Sequence, residues 1–317
     1  KVEYLSSVSE QPTNTTSTLT VDLDYSQATG TAPSGESAAD KLIATTVTTG
    51  DGLYADTYEE GRYIYRGGTP NNYIIFNGET WRILSVEADG TIKVIRNESI
   101  GDKAFDSLGY RDKPSNGTGG TYCAGSSLGC NAWAKNDSFV NGSLTGTVLK
   151  DAELNTYLNN DYYNELTEEA KEQITTGAYK IGPVVITDKN LSNTVNDESN
   201  ITWNGKIALA TASEYVRTSN NSVCTSVNAY VSTSSCYNNG STHNWLTKIM
   251  NSSTNKYSWL LSPDSGRSNL VFIVYSAGDL SNGSASDTAP GVAPVVYLKS
   301  DIQLSGEGTE DNPYIIG

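Results

Sequence analysis

Few side chains in this sequence can move a proton or hold a soft metal, and that limits its chemistry from the start. There is one histidine, His243, and one methionine. A Ser–His–Asp arrangement has to use His243, which sits between Thr242 and Asn244 where a helix is expected to begin. That setting reads as a capping or surface histidine rather than a general base. Carboxylates are plentiful, and a glycosidase needs only two of them roughly 5–10 Å apart, a relation in space that no spacing in sequence displays. The stretch DKNLSNTVNDE places Asp188, Asn190 and Ser192 at alternating positions, as a calcium loop does. Asn193 stands where such a loop turns on glycine, and Ser199 where it needs a bidentate glutamate, so a solvated loop is expected instead. The glycines of GDGLYADTYEEGRYIYRGG lack the spacing and the lysine of a phosphate loop. The reading is therefore a binding or structural protein, with no catalytic residue, no metal and no cofactor expected.

The cysteines point to an oxidising compartment. Cys123 and Cys130 lie in TYCAGSSLGC, and Cys224 and Cys236 in SVCTSVNAYVSTSSC. Two local disulfides, 123–130 and 224–236, are the economical pairing, with free thiols as the alternative. A zinc site would need tighter spacing within each pair and convergence of all four thiols. Against 36 acidic residues stand 21 basic ones, a net charge of −15, which argues against nucleic acid as a partner because phosphate recognition needs clustered Lys and Arg. No apolar run approaches the roughly 18 residues that span a bilayer, so no membrane insertion by this chain is expected. A signal peptide or anchor is expected to have been removed or to lie outside it. Trp81, Trp133, Trp203, Trp245 and Trp259 sit in apolar runs and read as core, which leaves sugar stacking to exposed loop tyrosines such as Tyr237.

The elements that must position these residues fall into an extension, a body and a tail. In TSTLTVDLDY, Leu19, Val21 and Leu23 alternate with Thr20, Asp22 and Asp24, the period of a half-buried strand. The small polar residues from Ser26 to Asp40 read as a linker, giving an N-terminal strand extension over 1–40 and one surface domain over 41–317. Strands are predicted at 62–67, 73–77, 79–87 and 91–97. Asn77-Gly78 and Asp89-Gly90 supply the positive φ of hairpin turns, and the result is a meander. Leu154, Tyr157 and Leu158, then Leu166, Ala170 and Ile174, recur at helical spacing and predict two short helices over 151–176. Thr211 and Glu214 have the spacing of a capping box, and a further helix follows Thr242 with Trp245, Leu246 and Ile249 on one face. With strands at 270–275 and 293–298 and a closing DNPYII, the fold class is α+β, mainly antiparallel β with short helices.

WLLSP and GVAPVVYL bracket a Ser/Asn/Gly/Asp-rich stretch, 264–289, which has the layout of a display surface. Asp264, Arg267, Asn269, Asp279, Asn282 and Asp287 are its candidate ligand-binding residues.

The block from GLYADTYEEGRYIYRGG through IKVIRNESIG, with LNTYLNNDYY, TASEYV, WLLSP and GVAPVVYLKSDIQLSGEGTEDNPYII, resembles surface proteins of Gram-positive, largely gut-dwelling bacteria. The C-terminal half also resembles the C-type-lectin-like fold of formylglycine-generating-enzyme-like and retroelement-diversified binding proteins. These resemblances imply an extracellular, cell-surface location and a ligand surface on the loop between the WLLSP and GVAPVVYL strands. The EPN and WND sugar motifs of calcium-dependent lectins and the paired-cysteine chemistry of the formylglycine enzyme are both absent. The first expectation for function is a pilus-like filament subunit, a homopolymer in which Leu19, Val21 and Leu23 form a strand donated to the next copy. The alternative is a stand-alone adhesin that recognises a host glycan or protein through 264–289.

Overall fold

At the first hairpin turn both Asn77 and Gly78 take positive φ, 55° and 70°, as a two-residue turn demands. The computed structural model describes residues 35–111, 120–124, 128–142, 144–228 and 240–317. The chain divides into units Lys1–Gly35 and Glu36–Gly317, and the second is described below. The assembly strand Leu19, Val21 and Leu23, Cys236 and Tyr237 lie outside the described residues.

In chain order the strands are β1 (Gly52–Ala55), β2 (Tyr63–Arg66), β3 (Tyr73–Phe76), β4 (Glu79–Val86), β5 (Ile92–Arg96), β6 (Asn136–Asn141), β7 (Leu144–Val148), β8 (Ile174–Thr175) and β9 (Gly177–Lys180). They continue with β10 (Thr202–Gly205), β11 (Ile207–Ala208), β12 (Ser258–Pro263), β13 (Leu270–Val274), β14 (Leu280–Ser284), β15 (Val295–Leu298), β16 (Leu304–Ser305) and β17 (Tyr314–Ile316). The main sheet runs β11-β15-β5-β4-β3-β17-β16, with β2 and then β1 beside the second half of β4, and β8 beside β15. Among its described strands, only the β17–β3 pairing is parallel. The fold is thus α+β and mainly antiparallel. β15 pairs Val296 with Val94 on β5, so the late GVAPVVYL segment closes a sheet begun by the early meander. Buried on both faces, β15 is apolar throughout rather than alternating. Phe76 meets Trp81 edge-on at 5.0 Å in the same core.

Helices are short. α1 (Ala38–Ile43) begins at Ser37, whose hydroxyl accepts from the Asp40 N–H. The linker expected over 26–40 therefore gives way by Ser37, because Ala38, Ala39 and Leu42 are buried in the main core. The two helices expected over 151–176 are present. The first comprises α2 (Glu153–Tyr157), a π turn at Leu158–Tyr162 and α3 (Tyr163–Glu165), and the second is α4 (Glu168–Gln173). DKNLSNTVNDE is not a solvated loop: Asn190 caps α5 (Leu191–Ser199) by accepting from the Ser192 N–H, and Leu191 and Val195 anchor that helix inward. His243 ends a helical turn, Gly240–His243, instead of opening a helix, and its Nδ1 lies 3.1 Å from Asn220 Oδ1. Asp89 keeps negative φ and only Gly90 is left-handed, so the β4–β5 connection is longer than two residues and closes through Glu87 N–H to Thr91 C=O.

A smaller core holds Tyr122, Cys123, Cys130, Ala132, Phe139 and Val148. The Cys123–Cys130 disulfide is formed. Cys224 is disulfide-bonded as well. Arg111, fully buried, donates to Asp106 Oδ1 at 2.8 Å and to the carbonyls of Cys130, Ala132 and Lys150, and the Cys130 N–H donates to Asp106 Oδ2. Burial nonetheless pushes the Asp106 carboxyl up to about 6, against the pull of Arg111.

Between the sheet and α6 (Ala212–Arg217) lies a buried charge network. Thr211 and Glu214 form the expected capping box, with the Glu214 N–H donating to Thr211 Oγ1 and the Thr211 N–H to Glu214 Oε2. The other Glu214 oxygen accepts from Arg62 Nη2 at 2.8 Å and Lys93 Nζ at 2.6 Å. Arg62 also reaches Ser85, Glu87 and Asp56. Arg217 bonds Asp56 and Glu59, and Lys180 pairs with Glu59. Glu198 on α5, completely buried, accepts from Thr211 Oγ1, Ser213 Oγ and Ser262 Oγ, and from the Ser213 N–H. Burial raises its carboxyl. Burial also works to raise Glu214, but Lys93, Arg62 and Arg217 outweigh it and hold this carboxyl down at about 2. Arg62 and Arg217, with Lys180, likewise hold Glu59 well below the usual range against its burial.

The Glu214 and Glu59 carboxyls have folded pKa values below their unfolded ones, so their stabilisation is complete at neutral pH. For Glu214 it is lost as pH falls from about 4.5 towards about 2. Replacing Glu214 with Gln leaves Arg62 and Lys93 facing a neutral amide in a dry site. The expected cost is roughly 3–5 kcal/mol. Urea titration at pH 7 measures it, and the same titrations between about pH 5 and pH 2.5 should show a shallower acid decline in the variant than in the parent.

Candidate functional site

The six residues expected to form one recognition surface are spread over a folded element. Their stretch is not one loop: β13 is the strand expected at 270–275, β14 is a further one, and with β12 the two make a separate three-stranded sheet. The Trp259 ring of β12 packs over Gly283 of β14, 3.4 Å from where a Cβ would stand. Asp264 is 5% exposed. Its oxygens accept from the Gly266 N–H and from Asn282 Nδ2, and its carbonyl accepts from Asn131 and Asn141. It is a joint between sheets, not a displayed carboxylate. Asn282 is committed to that joint. Arg267 is exposed and Asn269 half-buried at the same end of the hairpin, whereas Asp279 lies at the opposite end, next to the β13–β14 turn.

Asp287 belongs to a different neighbourhood, and this one has the features of a binding site. Its Oδ1 accepts from the Ala289 N–H and its Oδ2 from the Tyr257 hydroxyl at 3.3 Å. Tyr257 lies 5.6 Å from the ring of Tyr275, which is 43% exposed. Next to Asp287 in the chain, Thr288 lines a cavity of about 300 Å³ together with Asp102, Lys103, Ala104, Ser107, Glu153, Leu154 and Tyr157. Lys103 Nζ sits 4.0 Å from the centre of the Tyr157 ring. Asn255 Nδ2 donates to Asp102 Oδ2 at 2.9 Å and to the Ala289 carbonyl, tying the cavity wall to the Asp287 segment. The second Asp102 oxygen is buried and has no hydrogen-bond partner among the described residues.

The scaffold beneath is well tied. Trp259 Nε1 donates to the Lys103 carbonyl at 2.8 Å, the Leu154 N–H to the Phe105 carbonyl and the Ser107 N–H to Glu153 Oε2. Aromatic faces beside carboxylate, amide and ammonium groups suit a ligand with an apolar face and polar edges. Nothing in the arrangement pairs a nucleophile with an imidazole base, since the lone histidine, His243, contacts Asn220 elsewhere. Among the described residues, no group of three or more His, Cys, Asp or Glu side chains is placed to hold a metal ion. Asp102 and Lys103 carry no local signal in the sequence, and Tyr157 shows there only as part of a helical spacing, because residues 102, 157 and 288 converge only after folding. Only Asp287 carried a local signal for the site. Of the tryptophans, Trp81, Trp133, Trp245 and Trp259 are fully buried, and Trp203 is half-buried against Trp133 and Tyr179.

Residues 136–300 match the family described as "Domain of unknown function (DUF6273)", more than half of the 317-residue chain. The chain belongs to the DUF6273 family. No curated protein and no solved structure matches it significantly. The DUF6273 span contains β6 through β15, including Tyr157, Glu198, Glu214 and Asp287, while Asp102 and Lys103 lie upstream of it.

Replacing Asp264 with Ala strands the Asn282 amide and the Gly266 N–H, at an expected cost of about 1–3 kcal/mol. Arg267→Ala, at an exposed position, should stay within about 0.5 kcal/mol of the parent. Chemical denaturation of the two variants side by side separates a joint from a displayed side chain.

Proposed function

We propose that this chain is an extracellular binding protein of a bacterial surface, with a C-type-lectin-like body that recognises a host glycan or protein. The observation that carries the reading is the cavity at which Asp102, Lys103, Tyr157 and Thr288 converge, linked through Asp287 to the tyrosine pair Tyr257 and Tyr275. Tyrosine gives large contact area at low entropic cost, and the flanking carboxylates and amide fix orientation. The disulfide of the smaller core fits an oxidising location. The binding surface thus moves from the whole of 264–289 to its Asp287 end and the two segments packed against it.

The test is the full chain on arrays of glycans and host proteins, followed by titration of the best ligand. Tyr157→Ala and Asp287→Asn should each weaken binding at least about tenfold with melting temperatures near the parent's. Unchanged binding in both variants contradicts the site.

A filament role is the second reading, and it rests on the alternation of Leu19, Val21 and Leu23 in a unit, Lys1–Gly35, distinct from the body. A strand added in trans gains a ladder of backbone hydrogen bonds and buries one apolar row. Val21→Asp should abolish filaments seen by negative-stain microscopy, while Thr20→Asp, on the opposite face, should leave them. Filaments that persist in Val21→Asp, or parent protein that never assembles, reject strand donation.

A further inference from the structure

A second cavity, beside the charge network, contains an arginine whose hydrogen-bonding capacity is mostly unused. It measures about 190 Å³ and is lined by Asp56, Tyr58, Arg66, Arg217 and Thr225, with an apolar wall that includes Ile64. Arg66 is held from two sides. Its Nε donates to the Ser219 carbonyl at 2.9 Å, and its guanidinium lies 4.9 Å from the centre of the Tyr54 ring. Those contacts use one N–H of the roughly five that a guanidinium carries. The two terminal nitrogens have no acceptor among the described residues, and Arg66 makes no ion pair there.

The other charges in the wall are already balanced. Arg217 donates to Asp56 and Glu59, and Asp56 also accepts from Arg62. The cavity therefore presents one positive charge in excess, in the planar fork that matches a carboxylate with two parallel hydrogen bonds. A dianionic phosphate would bring a second negative charge against Asp56, so a single carboxylate is the better complement. The hydroxyls of Tyr58 and Thr225, the latter from the residue whose carbonyl receives the Leu191 N–H, can meet polar groups on the body of a ligand, and Ile64 its apolar side.

We propose that this cavity is a binding site for a small ligand bearing one carboxylate, which Arg66 holds through its terminal nitrogens. The site is independent of the Tyr157–Asp287 surface and does not rest on the function proposed for it. Two sources share this chemistry, an acidic sugar and an N-acylated neutral amino acid, and they differ in what the hydroxyl groups of the wall then contact.

Isothermal titration of the full chain with glucuronate and with N-acetylalanine, each a monocarboxylate, tests the proposal, with glucose and inorganic phosphate as controls. One of the two carboxylates should bind, phosphate and glucose should bind at least about tenfold more weakly, and the carboxylate that binds identifies the source. Arg66→Gln should remove binding, and Arg66→Lys, which keeps the charge but loses the fork, should weaken it at least about tenfold. Tyr157→Ala should leave it unchanged. A melting curve for each Arg66 variant verifies that the body is folded. Absence of binding by both carboxylates, equal binding of phosphate, or binding retained in a folded Arg66→Gln overturns the proposal.

Discussion

The body of this protein is organised around one buried carboxylate, Glu214, which does two jobs with its two oxygens. One oxygen closes the capping box that starts α6, and the other holds Arg62 and Lys93 on the meander. Neither cation can be left dry without a partner, and the carboxylate cannot be buried without them. The arrangement therefore fixes where α6 sits on the sheet. From Arg62 and Arg217 the network reaches Asp56, Glu59 and Lys180, and through Ser213 it reaches Glu198 on α5. Apolar packing supplies the drive to collapse, and these charges make one arrangement of the packed elements much better than its neighbours.

The network also explains how the DUF6273 segment depends on the sequence before it. Glu198, Glu214, Arg217 and Lys180 lie within residues 136–300, while Asp56, Glu59, Arg62 and Lys93 lie upstream. β15 pairs with β5 in the same way across that boundary. The matched segment therefore completes neither its sheet nor its buried ion pairs by itself. The Asp102–Lys103 side of the candidate binding cavity is supplied from upstream too.

Much of the framework was legible because local rules and global fold agree there. The meander strands are bounded by turn dipeptides, and Asn77-Gly78 does what its types require. Thr211 and Glu214 announced the start of α6 through spacing alone. The second job of Glu214 was not legible, since Arg62 is 152 residues away and no local pattern marks a buried ion pair. The 264–289 stretch misled for a related reason. Its Ser, Asn, Gly and Asp composition is that of a loop, yet Gly283 lies under the Trp259 ring and Asp264 is committed to buried hydrogen bonds. Composition reports what a segment can tolerate exposing, and it does not report which polar groups find partners inside. The capping of α5 by Asn190 was hidden in the same way behind a calcium-like spacing.

The binding surfaces proposed for this body need no moving parts, only a scaffold that does not open locally. Native-state hydrogen exchange at the amides of α6, β2 and β5 tests that claim most directly, because these are the elements Glu214 joins. All three should exchange only through the global unfolding reaction at neutral pH, with one common free energy. Their protection should then fall together as pH is lowered towards the range in which Glu214 takes up its proton. Exchange of α6 amides at a markedly lower free energy than β5, with the sheet still protected, would show that the helix opens by itself and that the buried network does not hold the body together.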